Sequence, residues 1–181
     1  MNIDRKKKIA LGAVLIGCAV VIILFLSFSP ITRQAVRSTP LSHEAINGVQ
    51  VRDRMDDPAF VSRYGSPISK DDNDLYDYYH WAGGPVTASV NSGDKQGTIM
   101  RVILTDPEGQ PSSAQLQTEK GIRLGDSKEK VLALYGGDYY TSREQGADII
   151  GYIDHEEHLT LEFWCSEGKV AEIRLDDSTV K

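Results

Sequence analysis

The residue types most able to do chemistry gather in two short stretches. "DHEEHL", residues 154–159, sets His155 and His158 around two glutamates, and "DDND", residues 71–74, sets three aspartates beside an asparagine. A zinc-dependent hydrolase of the H-E-x-x-H kind spaces its histidines four apart, so that one helix face presents both imidazoles. Here the spacing is three and the stretch falls at an expected strand-to-strand turn, so it reads as a solvated turn. A calcium loop needs a glycine at its sixth position and a glutamate at its twelfth. Counted from Asp71, these positions hold Tyr76 and Ala82. No G-x-S-x-G elbow, phosphate-binding glycine loop or dinucleotide fingerprint occurs. Cys165 ends "LTLEFWC" on the side of Leu159, Leu161 and Phe163, which makes it a small core residue. The expectation is a non-catalytic chain without metal or cofactor. The alternative is an envelope hydrolase or metal-dependent enzyme using the His155/His158 region.

The same alternation defines a surface. If Leu159, Leu161 and Phe163 face the core, Thr160, Glu162 and Trp164 face away. On the next strand Ala171, Ile173 and Leu175 go inward and Glu172 and Arg174 outward. In "GTIMRVIL", Met100, Val102 and Leu104 go inward while Arg101 and Ile103 go outward. Aromatic residues and arginine are favoured at interface centres. Trp164, Glu162, Glu172, Arg174, Arg101 and Ile103 are therefore the expected protein-binding residues, with Trp164 as exposed anchor.

The elements that would position them occur twice. "GVQVRDRMDDPAFVSRYG" (48–65) aligns with "GIRLGDSKEKVLALYG" (121–136), with two extra residues before Pro58. Gly48 meets Gly121, Asp53 meets Asp126, Phe60 meets Val131 and Tyr64-Gly65 meets Tyr135-Gly136. "DLYDYYHWA" (74–82) aligns with "DIIGYIDHE" (148–156), and "GTIMRVIL" (97–104) with "GKVAEIRL" (168–175). Three matches in one order indicate an internal repeat. Each copy reads as a short helix followed by three strands: 75–82, 86–91 and 98–104, then 149–155, 159–165 and 169–175. Asp57 with Pro58 starts the first helix and Gly65 ends it. In the second copy Asp126 is the expected N-cap, with Glu129 completing a capping box. Tyr64 and Tyr135 should occupy matching places.

The pattern G-[IV]-x-[LV]-x-D…[VF]-x-x-x-Y-G, followed by an aromatic strand and a Gly-turned hairpin, resembles domains of the β-lactamase inhibitory protein type. It is also similar to the outer-membrane assembly lipoprotein (SmpA) type. The resemblance spans residues 46–176. It implies a tandem α+β unit with helices packed on one face of an antiparallel sheet, binding other proteins and catalysing nothing. The intradomain disulfides of the inhibitors are missing here, where Cys18 and Cys165 are the two cysteines. Inhibition of a secreted enzyme is thus an alternative.

Location is read from the N-terminus. Residues 9–28 carry no charge, and about twenty helical residues span about 30 Å, a bilayer's hydrocarbon thickness. Arg5, Lys6, Lys7 and Lys8 precede them, which keeps the N-terminus cytoplasmic. "LIGC" resembles a lipobox, so Cys18 is a candidate for lipidation, and cleavage of a signal peptide is a further alternative. The expected organisation is a cytoplasmic basic tail (1–8), a transmembrane anchor (9–28), a stalk (29–45) and α+β repeats at 46–110 and 111–181. Four of the 20 basic and one of the 26 acidic residues lie in 1–29, so the remainder carries a net charge of −9. Such a surface repels phosphate backbones, which argues against nucleic acid as partner. The expected function is a single-pass, membrane-anchored, extracytoplasmic module of the bacterial envelope that binds another envelope or secreted protein.

Overall fold

A computed structural model describes residues 30–106 and 115–179. The described residues divide into two units, one ending at Val36 and one beginning at Arg37. Of the first, the described part is helix α1, Pro30–Ala35, followed by Val36. The second unit begins with helix α2 (Pro58–Tyr64) and strands β1 (Ser69–Asp71), β2 (Tyr76–His80), β3 (Val86–Val90) and β4 (Ile99–Leu104). Helix α3 (Lys128–Tyr135) and strands β5 (Tyr140–Glu144), β6 (Ala147–Asp154), β7 (Leu159–Ser166) and β8 (Lys169–Asp177) follow.

All eight strands form one antiparallel sheet in the order β1-β2-β3-β4-β8-β7-β6-β5. The fold is therefore predominantly antiparallel β, which corrects the expected α+β class. Helices of six, seven and eight residues are too short to form a layer on the sheet. Among the described residues no helix is long and apolar enough to cross a membrane. That finding corrects the reading of a single-pass membrane chain. The tail 1–8, the segment 9–28 and Cys18 lie outside the described residues.

The last strand of each half pairs with the other, Val102 opposite Leu175 and Ile103 opposite Arg174. Two four-stranded meanders thus become one sheet with reversed order across the seam. A second seam runs alongside, where Asn47 N–H donates to Gln117 O (2.8 Å) and Glu119 N–H to Ala45 O (3.0 Å). The core fills one sheet face with Ile99, Val102, Leu104, Ile150, Tyr152, Leu161, Phe163, Ile173 and Leu175. Residues 37–45 do not stand off as a stalk. Leu41 is buried in that core, Leu41 N–H donates to Asp154 Oδ2 (2.8 Å), and Thr39 N–H to Ile153 O (2.8 Å).

Matched residues of the two copies do matching work. Tyr64 lies 6.1 Å from the Trp81 ring, and Tyr135 lies 5.1 Å from the Phe163 ring. Tyr64 Oη donates to Asn47 O (3.1 Å), and Tyr135 Oη to Thr118 Oγ1 (2.9 Å), each seventeen residues back. Asp53 accepts from Gln50 N–H and Asp126 from Arg123 N–H, both at 2.8 Å. Because its carboxylate is used there, Asp126 is not the N-cap of α3. Ser127 is, accepting from Lys130 N–H. Asp57 caps α2 as the sequence suggests, accepting from Ala59 N–H.

A bulge recurs as well, between Ala88 and Ser89 against β4 and between Trp164 and Cys165 against β8. It shifts the inward set by one residue at each strand start. Ile99 and Val170 enter the core. Met100 is buried outside that cluster, and Ala171, expected inward, is exposed.

One position departs from the repeat. Gly125, with φ of 83°, has Arg52 as its counterpart, with φ of 72°. A side chain in the left-handed region is costly. Arg52 offsets this by reaching the far half, with Nε 2.7 Å from Asp177 Oδ2 and Nη2 donating to Glu157 O (2.6 Å). Burial alone would raise the Asp177 pKa, but Arg52 and Thr179 outweigh it and hold the carboxyl below its ordinary value.

Glu44 behaves in the opposite way. It is buried at the second seam, where Oε1 accepts from Glu119 N–H (3.0 Å), and burial raises its pKa above the ordinary 4.5. A raised carboxyl pKa means the folded state binds the proton more tightly than the unfolded one. Folding is favoured below the ordinary value and weakened as pH rises through the raised one. Glu44→Gln keeps the acceptor without the charge, so its Tm should exceed that of the parent at pH 8 and converge with it near pH 4. A variant melting lower than the parent at pH 8 would show that the charged carboxylate is favourable.

Candidate functional site

The sheet face opposite the core carries a polar row set by strand register. Tyr140 lies beside Gly151, Gly151 beside Glu162, Glu162 beside Arg174 and Arg174 beside Ile103. Gly151 is in mid-strand, where glycine weakens a sheet unless something approaches closely. Something does, since a Cβ built on Gly151 would overlap the Tyr140 ring. The ring lies across β6 so that Tyr140 Oη donates to Glu162 Oε1. The other carboxylate oxygen accepts from Trp164 Nε1 at 3.0 Å.

Trp164 is consequently not an exposed anchor. It is 5 % exposed and Glu162 6 % exposed, and the Arg174 guanidinium stacks 3.8 Å from the indole centroid. Arg174 Nε is itself paired with Glu172. Alternation assigned these residues to the correct face, but not the cation that covers them. Arg101 pairs with Asp176, and its Nη1 donates to Tyr78 Oη (3.4 Å). Ile103 is half-buried beside Arg174. All six expected binding residues thus meet on one face, with Arg174 paired to Glu172, Arg101 to Asp176, and Glu162 held by Tyr140 and Trp164. A small cavity of about 70 Å³ opens there between Tyr76 and Arg101.

The larger concavity is on the first copy's loop and helix. A groove of about 640 Å³ runs between residues 48–57 and α2. Phe60, Tyr64 and Val49 supply its apolar wall, and Arg52, Asp53, Arg54 and Arg63 its charged one. Arg54 is paired with Asp56 (2.7 Å), and Arg52 with Asp177 and Glu157. The Arg63 guanidinium sits 5.4 Å from the Tyr64 ring, as the Lys120 ammonium sits 4.5 Å from the Tyr135 ring. Alternation of strand residues could not have revealed this groove. Its signal in the sequence is the two-residue insertion before Pro58.

The stretches that suggested chemistry make structural contacts. Asp154 accepts from Leu41, Glu156 and Glu157 N–H, which holds its carboxyl below the ordinary value against burial. His155 and His158 are exposed on the turn that follows, with His158 at φ of 57°. Among the described residues no three His, Cys, Asp or Glu side chains group to hold a metal. In 71–74, Asp71 pairs with His80 (3.0 Å) and Asp72 with Lys70 (2.6 Å). Cys165 is buried in the core, where burial pushes its thiol pKa up, away from the reactive thiolate.

No family model and no curated protein matches the chain. Similar solved structures include the following three. An extracellular protein containing an SCP domain from Bacillus anthracis is 7 % identical over 70 % of this chain and 44 % of its own, with a TM-score of 0.41. A DUF4309 family protein, YjgB, from Bacillus subtilis is 18 % identical over 67 % of this chain and 77 % of its own, with a TM-score of 0.41. A cysteine-rich secretory protein from Staphylococcus aureus is 12 % identical over 79 % of this chain and 47 % of its own, with a TM-score of 0.43. The chain spans less than half the length of the first and third. None of the three is of the β-lactamase inhibitory protein or SmpA type.

The Tyr140–Gly151–Glu162 arrangement has a direct test. Gly151→Ala should cost about 1–3 kcal/mol in denaturant melts, as overpacking does. In the double variant with Tyr140→Ala the ring is gone, so the two costs should fall short of additivity by about 1 kcal/mol or more. Strict additivity would mean the ring does not lie over Gly151.

Proposed function

We propose that this chain is a non-catalytic protein-binding module and that the groove beside α2 is its contact surface. The groove between residues 48–57 and α2 is the observation that carries the reading. It combines the half-buried Tyr64 ring with flanking arginines already fixed by ion pairs. Aromatic anchors and prearranged arginines are the groups that dominate interface energies, because little ordering entropy remains to be lost on association. The opposite sheet face is a poorer surface. Its tryptophan is covered and its charges are matched internally, so a partner would have to displace Arg174 to reach Trp164.

Site-specific photo-crosslinking of the full chain in its native cells tests this reading. A photoreactive residue at Ala59 or Arg54, both on the groove, should give a discrete protein adduct. The same residue at Ile103 should give none. Ala59→Trp, which fills the groove, should weaken capture of that adduct partner at least tenfold while leaving Tm nearly unchanged. Adducts from position 103 alone would place binding on the sheet face. No adduct from either position would overturn the reading.

A further inference from the structure

The two copies differ at several residues of the groove, and one of these differences bears on what the groove accepts. In the second copy, the Lys130 ammonium bridges the loop and the helix. Its Nζ lies 2.7 Å from Asp126 Oδ2 and donates to Gly121 O at 3.2 Å. The counterparts are Asp53 for Asp126, Gly48 for Gly121 and, next to Phe60 in place of Val131, Ala59 for Lys130. The first copy keeps the carboxylate and the glycine but has a methyl group where the lysine stands. Asp53 is oriented as Asp126 is, by the same bond from the residue three before it. Gly48, Asp53 and Ala59 all line the open groove.

Among the described residues no cation of the chain pairs with Asp53. Arg52 pairs with Asp177 and Glu157 and Arg54 with Asp56, while the Arg63 guanidinium lies beside Gly48 and over the Tyr64 ring without pairing with Asp53. We infer that the groove receives a primary ammonium, a lysine side chain of the partner, between Asp53 and the Gly48 carbonyl, in the place that Lys130 fills in the second copy. This specifies the partner's chemistry and rests on the reading of the groove as the contact surface. A half-buried carboxylate is screened less than an exposed one, so it discriminates better for charge.

The test is an NMR titration of the full 15N-labelled chain with n-butylammonium chloride, with tetramethylammonium chloride at equal ionic strength as the control. The amides of Gly48, Gln50, Asp53 and Ala59 should shift saturably with butylammonium and not with tetramethylammonium, which has no N–H to donate. Asp53→Asn, which keeps the acceptor for Gln50 N–H, should weaken the response at least tenfold. Ala59→Lys should abolish it, because the chain then supplies its own ammonium. Well-dispersed spectra of both variants would show that they remain folded. Equal shifts with the two salts, or an undiminished response in either variant, would overturn the inference. Absence of any response in the parent would do the same, while the crosslinking at Ala59 and Arg54 would still report separately on the groove as contact surface.

Discussion

The pairing of β4 with β8 is the constraint on which the rest of this fold depends. Each half by itself is a four-stranded meander with one exposed long edge and a short helix. Joining the two edges through Val102–Leu175 and Ile103–Arg174 removes both. It also doubles the apolar face under which Leu41, Ile46 and Ile122 can be buried. The segments before each helix also cross-pair, Asn47 to Gln117 and Glu119 to Ala45. Arg52 then ties the first loop to the far end of β8 at the cost of a left-handed backbone.

Much of this was legible because the repeat is written in residue spacing. The strands at 98–104, 159–165 and 169–175 show an alternation that survives in the structure away from the bulges, and the Tyr64–Tyr135 correspondence follows from the repeat alignment. The edge strands β1 and β5 were not legible. All of "SKD" and most of "YTSRE" are solvated, so neither carries an apolar period. The paired bulges were invisible too, since a bulge changes which residue faces inward without changing composition. Reading Asp126 as a cap failed because a carboxylate can serve a turn or a helix start, and only the backbone decides which.

The candidate site shows where alternation stops being informative. It placed Trp164, Glu162, Glu172, Arg174, Arg101 and Ile103 on one face. Exposure, however, is decided by cross-strand neighbours. Arg174 stacks on Trp164, and Tyr140 reaches Glu162 over a glycine two strands away. The same residues that suggest an interface by type can close a surface by pairing with each other. What remains open lies where the copies diverge, at an insertion of two residues and an alanine opposite Lys130.

That divergence gives the most direct measurement. If Lys130 closes in the second copy what Ala59 leaves open in the first, removing the lysine should create a second site. In Lys130→Ala, titration with butylammonium should shift the amides of Gly121, Arg123 and Asp126 as well as those around Asp53, with two equivalents bound. Shifts confined to the first copy, with a single equivalent bound, would contradict the equivalence on which the binding site is assigned.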